Sequence, residues 1–307
     1  MTPRTLVIVN PQSGQGSGAG RWRRLEAPLR ERLGALDVAW TEGPGDAGRL
    51  AREAVQAGIE RLVVAGGDGT LGEVASGLLA ADLGGRTEIG VLPLGTGCDF
   101  ARSLGVPTDP EAAIETLVTG SARRFDAGHL TYTDADGATR VTHFVNEVSF
   151  GVSALTVELA RQAAALGGRL AFALGTVRAL LQFRADRIAL TVDGEKVFDG
   201  PTVLLVVAGG GYFGGGMPMA PESRLDDGQF DLVHVAPLPL PVLLFRLRKL
   251  FVGTHLSDPI VSSWRGREIA IESDAAVRLE ADGEPLGLAP ARVRILPDAL
   301  AWIGPKG

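Results

Sequence analysis

The sequence has little cysteine, no excess of basic residues and no long apolar run. One cysteine among 307 residues excludes a disulfide framework and a metal site built from several thiolates, and it is typical of a protein from a reducing compartment. Thirty Lys and Arg residues against 36 Asp and Glu residues give a net charge of −6, opposite in sign to that of a general nucleic-acid binder. We therefore expect no nucleic-acid partner.

Signals for export or membrane insertion are also lacking. The chain passes from Met-Thr-Pro-Arg directly into the strand-like run Thr5–Val9, without an apolar signal segment and cleavage site. The longest apolar run, Val235–Phe245, contains three prolines and is too short to span a bilayer. We expect a cytoplasmic protein, and we leave transient membrane association open.

Glycine is the residue in excess, at 42 of 307 residues, about twice its ordinary share. The first 120 residues alternate short apolar runs with segments of helical periodicity, which predicts βαβ units and a parallel sheet. The predicted strands are Thr5–Val9, Leu36–Thr41, Arg61–Ala65 and Ile89–Pro93. The predicted helices are Gly20–Leu33, Asp46–Gln56 with Asp46 as N-cap, Leu71–Ala81, and Pro110–Thr119 opened by Asp109.

The pattern changes after Arg124, where short strands and Asp-Gly turns dominate. This favours an antiparallel β-sandwich, interrupted by helical stretches at Thr156–Phe183 and near Pro241–Phe251. Within the first stretch, the Ala- and Leu-rich segment Ala163–Leu181 is expected either in the core or lining a lipid channel. The predicted strands are Phe125–Tyr132, Val141–Ser149, Arg187–Val192, Thr202–Val207, Gln229–Val235, Glu268–Glu272, Ala276–Ala281, and a final pair, Arg292–Leu296 and Ala299–Ile303.

Three glycine-rich turns, Asn10–Gly14, Gly66–Thr70 and Leu94–Phe100, follow predicted strands of the first half. Backbone N–H groups of such turns, with a helix N-terminus behind them, bind phosphate, and glycine allows the close approach. Two of the turns carry Asp, and a carboxylate beside phosphates indicates an accompanying metal ion. The sequence therefore predicts a phosphate site at the carboxyl ends of the parallel strands.

A competing motif overlaps the first turn. Gly14–Ala19 satisfies the dinucleotide fingerprint, and Glu42 closes the second strand where a ribose-binding acid belongs. This signal is weak, because any Gly- and Ser-rich stretch can match it. The Walker pattern of P-loop enzymes is absent from the sequence.

The motifs together resemble the diacylglycerol kinase catalytic-domain family of bacterial lipid kinases and sphingosine kinases. The resemblance begins with Asn10-Pro11-Gln12-Ser13-Gly14 and Gly66-Gly67-Asp68-Gly69-Thr70. It continues with Gly95–Arg102, where Cys98 replaces the family's usual Asn, and with the loop Ala220–Asp231 and the turn Asp282-Gly283-Glu284. The motifs occur in family order from residue 5 to about residue 303.

The resemblance implies an α/β nucleotide-binding domain with a parallel sheet of the NAD kinase/phosphofructokinase type, followed by a C-terminal antiparallel β-sandwich domain. The active site is then expected in the cleft between the domains. On this basis the first domain comprises residues 1–126 with a C-terminal return of 292–307. The lipid-acceptor domain comprises residues 127–291.

Site residues are assigned by resemblance. Glu284 is expected to be the proton acceptor, with Asp282 sharing or orienting that role, and Asp68 completes the catalytic set; a hairpin turn with two solvated acids is the alternative. A structural Mg²⁺ is expected on the Asp227 side chain and the backbone carbonyls of Arg224 and Gln229, with a simple type I turn as the alternative. The expected ATP contacts are Asn10, Pro11, Gln12, Ser13, Gly14, Thr41, Gly66, Gly67, Asp68, Gly69, Thr70, Leu71, Gly72 and Thr96.

The expected activity is that of an ATP- and Mg²⁺-dependent lipid kinase, most simply one that converts diacylglycerol to phosphatidic acid. An NAD kinase or sugar kinase shares the Gly66–Thr70 turn and stays an alternative, as does a nucleotide-sensing module without catalysis. The expected partner is a lipid substrate, and a homodimer stays open. The basic and apolar segment Leu243–Phe251 either touches an anionic membrane surface or packs on the sandwich with a solvated basic edge.

Overall fold

The structure is a computed structural model that describes residues 3–163, 168–246 and 248–306. The chain forms two compact units. Unit 1 comprises Met1–Ala127 and Pro297–Gly307, and unit 2 comprises Gly128–Leu296. Among the described residues, no helix is both long and apolar enough to cross a membrane.

Unit 1 alternates strands and helices, as the sequence predicts. Its four predicted strands and four predicted helices are all present, with ends shifted by at most three residues. In chain order its elements are β1 (Thr5–Val9), α1 (Ser13–Gly16), α2 (Gly18–Leu33), β2 (Leu36–Trp40), α3 (Asp46–Gln56), β3 (Arg61–Gly66), α4 (Asp68–Leu79), β4 (Glu88–Pro93), α5 (Asp99–Ser103) and α6 (Pro110–Thr119).

The sheet of unit 1 is parallel, in the order β2-β1-β3-β4, and the end of the C-terminal strand adds beside β4. Val7 pairs with Val38 on one side and with Val63 on the other, while Trp302 pairs with Ile89. Strands β1, β3 and β4 are buried along almost their whole length, as a sheet covered on both sides requires. The carboxyl ends of β1, β3 and β4 therefore share one edge of the sheet, where each strand runs into a turn.

Two helix starts test the capping predictions. Asp109 caps α6 as predicted, since its side chain accepts a hydrogen bond from Ala112 N at 2.9 Å. The prediction for Asp46 is wrong, because Gly45 is the N-cap and Asp46 is the first helical residue. The Asp46 carboxylate reaches back to accept from Glu42 N at 2.9 Å, so it still stabilises the loop before α3.

Unit 2 consists mainly of antiparallel strands. Its elements, beginning with the strand that leaves unit 1, are β5 (Ser121–Thr133), β6 (Thr139–Phe144), β7 (Glu147–Gly151), α7 (Val152–Gln162), α8 (Gly168–Gln182), β8 (Asp186–Val192), β9 (Glu195–Thr202), β10 (Leu204–Ala208), β11 (Phe230–Val235), α9 (Leu240–Arg246), α10 (Arg248–Phe251), a 3-10 turn (His255–Ser257), β12 (Val261–Gly266), β13 (Glu268–Glu272), β14 (Arg278–Ala281) and β15 (Glu284–Gly304).

Alternate residues of the central strand β10 serve two cores. Leu205 and Val207 pack into the core of the sandwich, which also contains Ile188 and Ile271 from the opposite strands. Leu204 and Val206 face the other way and pack beneath the helices. The strands run β12-β11-β10-β7-β14-β15, and β13 joins β15 to β8 and β9. The predicted fold class, a parallel α/β unit followed by a β-sandwich-like unit, is confirmed.

Several predicted elements of unit 2 need correction. The predicted strand Val141–Ser149 is two strands, β6 and β7. The final predicted pair belongs to one continuous strand, β15, although Pro297 and Asp298 lie between its two predicted halves. Strands β9 and β12 were not predicted, since their polar and apolar residues alternate poorly. The predicted helical stretch Thr156–Phe183 coincides with α7 and α8, and the stretch near Pro241–Phe251 coincides with α9 and α10. Residues 164–167 of the first stretch and residue 247 of the second lie outside the described residues.

Candidate active site

Asn10 joins the first glycine-rich turn to the second. Its backbone N–H donates to Ala65 O at 3.0 Å, and its side-chain amide donates to Thr70 Oγ1 at 2.9 Å. The side-chain oxygen accepts from Gln12 N at 2.9 Å. Ser13 Oγ in turn donates to Asn10 O at 2.9 Å. Ser13 and Thr70 are thus buried, and their hydroxyls form hydrogen bonds that hold the two turns in shape.

The three turns approach one another through bare backbone. A Cβ added to Gly95 would lie 2.6 Å from the Cα of Gly67, so the second and third turns touch where neither has a side chain. Gly14 has φ +56°, and a Cβ there would lie 2.6 Å from Leu94 O. Glycine is therefore required at these contacts, and the result is a cradle of backbone that polyphosphate can approach closely. A backbone cradle of this kind suits a phosphate group.

Asp68 ties the second turn to the third. It is the first residue of the 12-residue helix α4, whose N-terminus carries partial positive charge. Its Oδ1 accepts from Phe100 N at 3.0 Å, and a Cβ added to Gly97 would lie 2.9 Å from its Oδ2. Asp99, which is buried, lies near the same point and pairs with Arg102 at 3.3 Å. Two carboxylates therefore lie beside the third turn.

The other predicted nucleotide contacts lie around the same sheet edge. Thr41 is buried at the end of β2, where its N–H donates to Val9 O at 3.0 Å, and Thr96 is exposed in the third turn. Gly69 and Gly72 lie in the first turns of α4, beside the buried Leu71. Unit 1 brings all of these residues together.

Cys98, which stands where the family usually has Asn, is buried, and its backbone has a left-handed conformation with φ +55°. Burial, followed by the charge of Asp68, raises the pKa of its thiol to about 11. The group is therefore a neutral thiol near neutral pH. Its Sγ lies 3.5 Å from Gly95 O, so the thiol bonds weakly within the third turn.

In unit 2, Asp282 anchors the predicted catalytic turn. Its carboxylate accepts backbone hydrogen bonds from Val145 at 2.9 Å, Asn146 at 2.9 Å and Glu147 at 3.0 Å. Its own N–H donates to Glu147 O at 3.0 Å. Asp282 and Gly283 both have positive φ, which turns the chain sharply after β14. The Asp282 side chain is therefore buried and directed at the connection between β6 and β7.

Glu284 presents the other carboxylate of this turn. Its side chain is 53% exposed and forms an ion pair with Arg161 of α7. Arg161 also approaches Gly283 O at 3.5 Å. The two acids thus have different surroundings, since Asp282 is fixed by backbone and Glu284 faces solvent beside a cation. Sequence reasoning missed Arg161, because no spacing relates α7 to a turn 122 residues later.

Glu280 is a buried acid that sequence reasoning also missed. It lies in β14 with no exposed surface, accepts from Ser149 Oγ, and accepts from Gly283 N at 2.9 Å. Burial raises the pKa of Glu280 to about 7, while hydrogen bonds from Ser149 and Glu147 oppose the shift. An acid two residues before the motif, on an otherwise apolar strand, is the signal that could have found it.

An arginine side chain, Arg265, pairs with the carboxylates of the predicted metal loop. Asp227 accepts from Gln229 N at 3.1 Å and forms an ion pair with Arg265 of β12. Arg265 also pairs with Asp231 at 3.1 Å. Among the described residues, no group of three or more His, Cys, Asp and Glu side chains could hold a metal ion. The Asp227 oxygens therefore face an amide and a guanidinium, and the Mg²⁺ site on Asp227, Arg224 and Gln229 stays a prediction.

Asn146 connects the acidic turn to the glycine loop of residues 209–216. Its N–H donates to Asp282, while its side chain donates to Tyr212 O at 2.8 Å. The N–H groups of Gly209 and Gly210 donate back to Asn146 O at 2.9 and 2.8 Å. The glycine loop and the acidic turn are therefore one hydrogen-bonded assembly within unit 2.

Known proteins match almost the whole chain. Residues 4–130 match the model of the diacylglycerol kinase catalytic domain, and residues 146–304 match that of the YegS C-terminal NAD kinase beta sandwich-like domain. A protein of Chromohalobacter salexigens named "Probable lipid kinase YegS-like" is 34% identical, over 99% of this chain and 94% of its own length. A Bacillus subtilis protein named "Diacylglycerol kinase" is 29% identical, over 94% of this chain and 91% of its own length.

Two solved structures share the fold. A diacylglycerol kinase from Bacillus anthracis superposes with a TM-score of 0.73 at 23% identity, covering 98% of this chain and 97% of that chain. An NAD kinase from Archaeoglobus fulgidus in complex with ATP superposes with a TM-score of 0.53 at 16% identity, covering 99% and 94%. At these identities the likeness concerns architecture alone.

Proposed function

This chain belongs to the family of YegS-like lipid kinases and bacterial diacylglycerol kinases, and from that premise we propose that it transfers the γ-phosphoryl group of ATP to a lipid hydroxyl, with diacylglycerol as acceptor and phosphatidic acid as product. The observation that carries the proposal is the contact of three glycine-rich turns at one sheet edge of unit 1, on which a nucleotide triphosphate can lie. The acidic turn of unit 2 supplies the second requirement, a proton acceptor.

The phosphate donor is held by backbone. The turns after β1, β3 and β4 approach each other at Gly14, Gly67 and Gly95, and the N-terminus of α4 adds its partial charge. Asp68 bonds to Phe100 N, which fixes the second and third turns relative to each other. ATP enters as its magnesium complex, which supplies charge neutralisation to the transferring group.

The proton acceptor is Glu284. In the reaction the acceptor oxygen forms a bond to the γ-phosphorus, the bond from that phosphorus to the bridging oxygen breaks, ADP leaves, and the hydroxyl proton passes to a base. Glu284 is exposed, whereas the Asp282 carboxylate already accepts three backbone N–H groups. We therefore assign Asp282 to holding the turn and Arg161 to orienting Glu284.

The experiment is a phosphoryl-transfer assay with several acceptors in parallel. Purified protein receives labelled ATP and Mg²⁺ with diacylglycerol in mixed micelles, with sphingosine, with NAD or with no acceptor, and products are identified by mass. We expect phosphatidic acid, and loss of it in Glu284→Gln. Phosphorylated NAD would replace the proposal with an NAD kinase. Nucleotide binding without any product would replace it with a sensing module.

A further inference from the structure

Helix α8 buries three small residues and exposes four large apolar ones. Ala171, Gly175 and Ala179 are buried, and a Cβ added to Gly175 would lie 2.7 Å from Ala160 N of α7. The side chains that face outward are large and apolar, and they recur at helical spacing: Leu170 (68% exposed), Leu174, Val177 and Leu181 (66% exposed). An amphipathic helix of a water-facing surface shows the opposite arrangement.

The helices α9 and α10 repeat this arrangement. Leu243 and Leu250 anchor them in the core beneath, whereas Phe245 and Phe251 are 65% and 66% exposed. The guanidinium of Arg248 lies 4.0 Å from the centre of the Phe245 ring, so cation and aromatic ring occupy the same surface. Of the residues that the structure describes in this segment, Val242, Leu244 and Val252 are further exposed apolar ones.

Both segments lie on the same side of unit 2. Ala179 of α8 and Leu243 of α9 pack into one core, against the β10 residues that point away from the sandwich. Between the segments runs the loop of residues 209–221. A Cβ added to Gly214 of this loop would lie 3.3 Å from Phe172, and one added to Gly253 would lie 3.3 Å from Pro218. We name the exposed apolar side chains of this layer the outer helical face; its members are Leu170, Leu174, Val177, Leu181, Val242, Leu244, Phe245, Phe251 and Val252.

The charge of the two segments differs sharply from that of the rest of the chain. Residues 168–182 and 240–251 contain five Arg and Lys residues and no Asp or Glu, although the chain holds 36 acidic residues and has a net charge of −6. Within this layer, the carboxylate of Asp258 at the edge pairs with Arg246 and Lys249. Arg178 and Arg248 are exposed. The surface is therefore both apolar and basic.

We propose that the outer helical face lies on an anionic lipid bilayer. The leucine, valine and phenylalanine side chains enter the boundary between headgroups and acyl chains, and the arginines contact lipid phosphates. The fold of unit 2 leaves these apolar side chains exposed to water, and insertion into the bilayer buries them. No described helix is long and apolar enough to span the bilayer, so the association is at the surface. The inference deepens the proposed function, since it states where the protein meets a membrane-borne acceptor, but vesicle binding requires no catalysis.

Vesicle co-sedimentation without nucleotide tests the proposal. The full chain is mixed with vesicles of phosphatidylcholine alone, or with one quarter phosphatidylglycerol, at low and high salt. We expect binding to the anionic vesicles that weakens with salt. The triple variant Leu174→Gln, Val177→Gln, Leu181→Gln and the double variant Phe245→Gln, Phe251→Gln should each lower the bound fraction by about tenfold. Arg178→Glu with Arg248→Glu should have a similar effect on anionic vesicles only.

Matched controls separate the face from general surface effects. Val141→Gln replaces an equally exposed valine of unit 2 outside the face, and Arg24→Glu reverses an exposed arginine of unit 1. Both should bind like the unaltered chain, and all variants should keep its circular dichroism. Failure of the unaltered chain to bind anionic vesicles, or equal binding by the face variants, would overturn the proposal. A dimer in light scattering that the face variants dissociate, with vesicle binding unchanged, would assign the face to a second copy instead.

An activity arm distinguishes this proposal from the proposed function. With a short-chain diacylglycerol dissolved as monomers, the face variants should turn over at the rate of the unaltered chain. With the same acceptor in anionic vesicles they should be slower by about the loss in binding. Absence of turnover in the unaltered chain, with vesicle binding intact, would contradict the kinase and leave the membrane face standing.

Discussion

The carboxylate of Asp282 accepts the backbone N–H of Asn146 at 2.9 Å, and this single bond joins residues 136 positions apart in the sequence. Asn146 continues the connection to Tyr212 O in the glycine loop. The acidic turn of unit 2, in which we propose the catalytic base, is therefore built on the connection between β6 and β7. A change at Asp282 acts first on the shape of this turn and only through it on chemistry.

We expect Asp282→Asn to lower the free energy of unfolding by about 1–3 kcal/mol, because one oxygen that accepts N–H groups becomes an NH₂ group. Urea denaturation measures the change. The control is Asp274→Asn, an exposed acid before β14, which should leave the unfolding free energy unchanged within about 0.5 kcal/mol. An Asp282→Asn variant as stable as the unaltered chain would show that the three hydrogen bonds contribute nothing.

Glu284→Gln should have the complementary effect. Because its side chain is half exposed, we expect the thermal midpoint to stay unchanged while the chemical step slows by at least ~100-fold, the scale of a lost general base. Single-turnover kinetics with bound ATP measure that step. Glu158→Gln is the control, because this α7 acid is 46% exposed and also pairs with an arginine, Arg278, at 3.9 Å. Rapid turnover in Glu284→Gln would exclude this residue as the base.

Glu280 predicts a pH dependence of stability. Its pKa in the folded protein, about 7, lies above the ordinary value near 4.5, so the folded state binds the proton more tightly than the unfolded state between these values. The contribution of Glu280 to the free energy of unfolding is therefore fully present below about pH 4.5. It decreases as the pH rises towards 7, by on the order of 1–3 kcal/mol. Glu280→Gln stays neutral throughout and should flatten this part of the curve.

The pH measurement compares urea unfolding of both proteins at closely spaced pH values. The groups that face Glu280 are Glu147, Ser149 and Asp282, so Ser149→Ala serves as a second variant that removes a hydrogen bond but no charge. Ser149→Ala should keep a pH dependence that Glu280→Gln loses. Identical curves for the unaltered chain and Glu280→Gln would show that another group titrates.

Much of unit 1 follows from local sequence. Glycines after β1, β3 and β4 mark the turns, and parallel strands place their carboxyl ends at one edge, so the cradle could be predicted before any coordinates. The contact between Gly67 and Gly95 is a consequence of that topology. The continuity of β15 could not be predicted, since the prolines and Asp298 within it are ordinary turn residues in sequence.

Unit 2 was less predictable because its site depends on distant partners. The family motif identifies Asp282 and Glu284 together, but only the fold shows that one is bound by backbone from β6 and β7 while the other pairs with Arg161. Ala163–Leu181 was expected in the core or in a lipid channel. The described part of α8 instead buries alanine and glycine and exposes leucine, because its contact with α7 leaves no room for larger side chains.

The contact between Gly67 and Gly95 makes a prediction for nucleotide affinity. Gly95→Ala would place a Cβ 2.6 Å from Gly67 Cα, so the second and third turns must separate and the cradle must widen. We expect the KM for ATP to rise by about tenfold or more, which corresponds to at least 1.4 kcal/mol of lost binding. Gly20→Ala, in α2 with nothing within 4 Å of the added carbon, is the control. Equal KM values in the two variants would contradict the close-approach argument.

Arg265 makes a prediction about magnesium. It neutralises Asp227 and Asp231, so the thermal midpoint of the unaltered chain should be the same in EDTA and in millimolar Mg²⁺ when no nucleotide is present. Arg265→Ala leaves two carboxylates of one loop without their cation. We expect a loss of roughly 1 kcal/mol, modest because the guanidinium is 46% exposed, and partial recovery on addition of Mg²⁺. Arg267→Ala, an exposed neighbour, should show neither effect. A midpoint of the unaltered chain that falls in EDTA and recovers with Mg²⁺, together with loss of this response in Asp227→Asn, would establish a cation site at this loop and overturn the role assigned to Arg265.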